Sequence, residues 1–320
     1  MATGSKKVIY AAAIGNSGIA VTKFIAASIT GSGAMFAEAI HSVVDTSNQF
    51  LLLWGIKQSN RPATKEFPLG YGKEVYFWSF VVAIMVFAVG AGVSLYEGVK
   101  RIYHPHPIEH ANVSYIVLII AMIFEGAAWW YAFVAFRNVK GDLGYIQAAR
   151  AEKDPTMFVV LLEDSAALLG LIVAFIGILL GQLTGIPYFD GAATIVIGLI
   201  LTLVACFLAW ETKSLLIGEA ANPRVDEQIR KIVSGDDRIV AVNELITVQM
   251  GPQHILVNLS LDFAQSLSSG TVEETISEFN REIKATIPMV RRVFIEAESY
   301  SAHKNQQQDD QDSRAESKED

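Results

Sequence analysis

The chain has 320 residues, 52% hydrophobic and 18% charged, with a mean hydropathy of +0.35. That is more apolar and less charged than a soluble globular chain, so the composition points to an integral membrane protein. A single cysteine, Cys206, excludes a disulfide framework or a thiolate metal cluster built from this chain alone. The net charge of -8 carries no functional weight, because acids concentrate in the terminal QQQDDQDSRAESKED, which reads as a disordered acidic tail over 301–320. No nucleic-acid partner is expected.

In chain order, MATGSKKVIY (segment 1–8 and just beyond) lacks the short apolar core and cleavage site of a secretory signal and runs straight into the first apolar stretch. A bilayer core takes about 20 apolar residues of helix. Six stretches approach that length, near 9–30, 34–57, 76–100, 113–137, 156–182 and 189–212, giving a six-helix transmembrane domain over 9–212. The first two contain Asn16, Lys23, Glu38, His41 and Asp45, so they span only if these groups face a protein interior or snorkel. Basic residues alternate between loops: Lys6 and Lys7 precede span one, Lys57, Arg61, Lys65 and Lys73 flank the second loop, and Arg137, Lys140, Arg150 and Lys153 flank the fourth. The positive-inside rule then places both termini on the cytoplasmic side of a bacterial inner membrane or an organelle membrane.

After Trp210 the period shortens. A helix near 225–234, strands near 239–250 and 253–263, a helix near 270–286 and a strand near 290–298 make an αββαβ soluble domain over 213–300. At about 80 residues it would gain stability by pairing with a second copy.

Without thiols, a metal site here must use imidazole and carboxylate. His41 and Asp45 lie four apart on one face of span two, in AEAIHSVVDTSNQ. Span five holds adjacent Glu163 and Asp164 in VVLLEDSAALLG, where an uncompensated charge costs at least ~2.5 kcal/mol. Each residue alone reads equally as an interhelical hydrogen-bond anchor. Together, His41, Asp45 and Asp164 point to a shared cation site. Glu38 and Glu125 are weaker candidates, Lys23 snorkels or pairs with a carboxylate, and Asn16 bridges helices. Asp190 and Glu211 sit at span ends. His104, His106 and His110 read as a solvated loop, and His254 as a lone histidine at a strand start. There is no HExxH or serine–histidine arrangement, so an enzyme is not expected.

The segments AEAIHSVVDTSNQ, FPLGYGKEVYFWS and LLEDSAALLG, with six spans and the αββαβ module, resemble the cation diffusion facilitator family, and within it the subgroup that includes the animal mitochondrial zinc transporter. The resemblance implies export of a divalent ion, zinc first and manganese, iron or cobalt as alternatives, in exchange for protons. It also implies alternating access, a homodimer, a ferredoxin-like C-terminal domain and no prosthetic group. Family members bind metal through two positions four apart on span two and two on span five, here His41, Asp45, Val160 and Asp164. Valine cannot coordinate, so Glu163, Glu38, water or nothing takes the fourth place. Phe67 and Tyr71 replace histidines of the second loop, and His254 matches a position that binds metal in some members but lacks companion histidines.

Overall fold

The computed structural model describes residues 3–108, 110–140, 144 and 153–316; the rest, including Arg150 of the fourth loop, lie outside that description. Six long helices come first: α1 (Thr3–Thr30), α2 (Gly33–Ser59), α3 (Glu74–Tyr103), α4 (Ala111–Lys140), α5 (Pro155–Thr184) and α6 (Tyr188–Ile217). A second compact unit comprises Ala63–Gly72, Ala151–Lys153 and Ile217–Asp320.

The helix ends follow local sequence. Gly31, at φ +65°, makes the turn between α1 and α2, and Ser32 caps α2 by accepting from Met35 N. Asp154 caps α5 through Thr156 N, with Pro155 in the first turn, and left-handed Gly185 ends it. Inside α3, Val86–Ala91 form a π-turn in which Gly92 N–H reaches back to Phe87 O. Beyond it α3 lies against α6. A Cβ on Gly98 would fall 2.6 Å from Ile195 Cγ1, and one on Gly198 2.8 Å from Leu95, so glycine on both helices permits the approach.

Four helices among the described residues, α3 to α6, are long and apolar enough to cross a membrane. The expectation of six apolar spans is corrected to that extent, because α1 and α2 carry Lys23, Glu38, His41, Ser42 and Asn48, all buried. The result is a polytopic helical membrane domain followed by a mixed α/β domain.

In the second unit α7 (Pro223–Ser234) precedes β1 (Ile239–Gly251) and β2 (His254–Phe263), an antiparallel pair; α8 (Ser269–Thr286) then leads to β3 (Val290–Ala297), parallel to β2. The strand order is β1-β2-β3. Ile229 and Val233 of α7 and Phe279 and Ile283 of α8 are packed with Val257, Leu259 and Leu261 of the central strand, as the helical and alternating periods require. Arg238 donates to Asp236 and Glu278 at 2.7 Å each and holds the Asp236 carboxyl below its ordinary pKa. The segment read as a disordered tail instead forms α9 (Tyr300–Glu316) up to the last four residues, which lie outside the description. Its start explains this: Ser299 accepts from Ala302 N, and Tyr300 N is held by Asp262 Oδ2 at 3.1 Å, while Ala, Lys, Gln and Glu that follow favour helix.

Candidate metal site between the long helices

Spacings of four residues from His41 to Asp45 and three from Asp45 to Asn48 place all three on one strip of α2. His41 is fully buried, with Nδ1 3.4 Å from Asp45 Oδ1, and neither ring nitrogen has a hydrogen-bond partner within the protein. Asp45 Oδ1 is likewise buried without a donor. Across on α5, Glu163 Oε1 accepts from Asn48 Nδ2 at 2.8 Å, which ties the two helices together.

A cavity of about 10 Å³ lies among these helices, room for roughly one water or ion. Four carboxylates reach its wall: Asp45 from α2, Glu125 from α4, and Glu163 and Asp164 from α5. Asn16 of α1 and Ser42 and Gln49 of α2 add neutral oxygens. Val160 completes the wall, so the position where a fourth ligand was sought is an apolar surface. Such a wall can hold a divalent cation when its carboxylates are ionised, or protons in its place.

The expected residues are thus partly united. Asp45, Glu163 and Asp164 share the cavity, and His41 stands behind Asp45. Glu38 does not face it: its Oε2 is 3.1 Å from Lys23 Nζ, and its other oxygen lies against Gly170, where a Cβ would collide with it. No three His, Cys, Asp or Glu side chains among the described residues form a ready ligand set in this conformation. Glu125 is promoted from helix anchor to cavity wall. Asn48 and Gln49 had no assigned role in the sequence reading, although the spacings Asp45 to Gln49 and His41 to Asn48 are those of one helical face.

The other histidines stay apart. His104, His106 and His110 are exposed on the loop after α3. His254 opens β2, and burial and the charge of Arg291 push its pKa down, so it tends to stay neutral. In the loop 63–72, the Phe67 and Tyr71 rings pack 4.8 Å apart where relatives were expected to place histidines.

A family model described as the cation efflux transmembrane domain matches residues 9–217. The proton-coupled zinc antiporter SLC30A9, mitochondrial, of Xenopus laevis is 34% identical over 75% of this chain and 44% of its own length. Metal tolerance protein C4 of Arabidopsis thaliana is 29% identical over 73% of the chain and 52% of its own length. The manganese efflux system protein MneP of Bacillus subtilis is 23% identical over 92% of the chain and 96% of its own length. The chain therefore spans about half the length of the mitochondrial relatives it matches. Its membrane helices, and the matched segment that contains all four cavity carboxylates, make it a multi-pass member of the cation efflux, or cation diffusion facilitator, family.

Proposed function

We propose that the chain exports a divalent transition-metal ion, zinc first, from the cytoplasmic side in exchange for protons. The observation that carries this is the placing of four carboxylates from three helices around one ion-sized cavity inside a membrane domain. Deprotonated carboxylates bind the ion, and protons arriving from the opposite side displace it. Asp45 and Asp164 are the principal ligands, His41 joins through a modest rotation beside Asp45, and Glu163 supplies the group that Val160 cannot. Zinc fits a site that combines imidazole with carboxylate. Manganese is the second reading, favoured by a wall whose ionisable groups are all carboxylates, with His41 outside the lining.

The same reading makes α1 and α2 spans as well, giving six. Both helices turn apolar side chains outward, with Val21, Ile25 and Ile29 exposed on α1 and Phe50 and Trp54 on α2, and keep Lys23, Glu38, His41 and Asn48 inside. That is the arrangement lipid demands. Both termini then share the cytoplasmic side, and the αββαβ domain, read as ferredoxin-like, pairs two copies into a homodimer.

Purified protein in proteoliposomes filled with a zinc-sensitive dye is expected to brighten the dye in a manner driven by a pH gradient. Zinc binding without dye filling would make the protein a receptor instead. Manganese and cobalt in the same assay rank the ions. For topology, single cysteines placed at Ser234 and at His106 in a Cys206→Ser background are expected to label from opposite sides of the membrane. Labelling of both from one side in sealed vesicles would overturn the six-span reading.

A further inference from the structure

Charge inside the long-helix unit is distributed unevenly. Lys23 is fully buried, and among the described side chains of this unit it is the one buried lysine or arginine. Its Nζ donates to Glu38 Oε2 at 3.1 Å and to Ser42 Oγ at 2.8 Å. The helices around it bring Glu38, His41 and Asp45 from α2, Glu125 from α4, and Glu163 and Asp164 from α5; the buried acids of α6, Asp190 and Glu211, are not part of the cavity wall.

A buried ion pair is weak evidence for stability, since apolar residues of similar volume often serve as well or better. The placement of this pair offers another reason for it. Ser42, which holds the ammonium, is part of the cavity wall and lies three residues before Asp45. Glu38 lies a further turn away, set against Gly170 and outside the cavity lining. The pair is therefore oriented with its positive end toward the four carboxylates.

We propose that Lys23 is a tethered counter-cation of the cavity: its ammonium offsets the carboxylate charge when no metal is bound and opposes the metal when it is. This rests on the reading of the cavity as the transport site. A fixed positive charge repels a divalent ion twice as strongly as a proton at the same place. Lys23 thus lowers the affinity for the metal, and it tilts exchange toward release wherever fewer than two protons replace the ion.

The test is zinc titration of the purified full-length chain by calorimetry, with release timed by a chelator chase. Two variants remove the ammonium: Lys23→Gln, which keeps a donor for Ser42 and Glu38, and Lys23→Met with Glu38→Met, which removes both charges together. Each is expected to bind zinc about tenfold or more tighter than the parent and to release it more slowly by a similar factor. Parent-like affinity and release in both, with zinc binding lost in Asp45→Asn, would show that the lysine only packs. Weaker binding by the double variant would make Glu38 a ligand and overturn the proposal. If Asp45→Asn binds zinc like the parent, the cavity is not the transport site, and the role of Lys23 falls with it.

Discussion

Asp45→Asn and Asp164→Asn are each expected to abolish zinc flux into proteoliposomes while leaving the protein folded and inserted. Asparagine keeps the shape of the side chain, so packing in the bundle changes little. What is lost is an anionic oxygen on a wall sized for one ion. Removing even a group that merely supports a ligand costs 10–100-fold in affinity, so loss of a ligand itself is expected to cost at least about 100-fold. Glu163→Gln is expected to lose less, because Asn48 Nδ2 already occupies one of its oxygens. The measurement is initial zinc flux across a range of loading-side pH. The parent's flux should rise with pH as protons leave the carboxylates, and the Asp45 and Asp164 variants should stay flat near the protein-free rate. Flux at the parent's level in either variant would remove that residue from the site.

Asp190→Ala is expected to be the most damaging single change away from the cavity. Asp190 opens α6 and is almost fully buried. Its carboxylate accepts from Ser32 Oγ at 2.5 Å, Gly33 N at 2.7 Å and Ala34 N at 3.3 Å, and lies 3.3 Å from Arg101 Nη1. One side chain thereby satisfies the first turn of α2 and neutralises a guanidinium at the end of α3. Breaking a buried pair by deleting one partner costs about 3–5 kcal/mol, because the remaining charge is left uncompensated. A lowered midpoint of unfolding in detergent checks this. The double variant Arg101→Met with Asp190→Asn, which removes both charges, is expected to recover part of the loss. If Asp190→Ala unfolds at the parent's midpoint, the network does not hold α2.

Asp190 also marks where sequence reading stops. Helix positions follow from runs of apolar residues, and the αββαβ order from the change of period after Trp210, because both patterns are local. The facing of His41 and Asp45 is local too, being set by a four-residue spacing. The hydrogen-bond partners of the Asp190 carboxylate lie 156 to 158 residues away, and that of Glu163 lies 115 away, so no periodicity announces them. At a span end an aspartate reads as an ordinary interfacial group, and only the folded chain reveals it as the cap of another helix. Glu125 shows the same limit. Its neighbours in AMIFEGAAWW are apolar, and nothing in that stretch tells whether the carboxylate meets one helix or three. The last helix, α9, is hidden for a different reason: composition speaks for disorder, while Ser299 caps within one turn and Asp262, 38 residues back, accepts from Tyr300 N and anchors the start.

The Lys23–Glu38 pair also bears on how the protein is made. Its partners are 15 residues apart in one helical hairpin, so the hairpin closes its own charge as soon as both arms have left the ribosome. The bond from Asn48 to Glu163 has to wait for more than a hundred further residues. An arm that carries an unpaired lysine or glutamate is a poor substrate for insertion into lipid, whereas a hairpin that presents its bonded pair inward and Val21, Ile25 and Phe50 outward is a better one. On the six-span proposal, the first two helices enter the bilayer as a couple, and the acids nearer the cavity are enclosed when α4 and α5 follow.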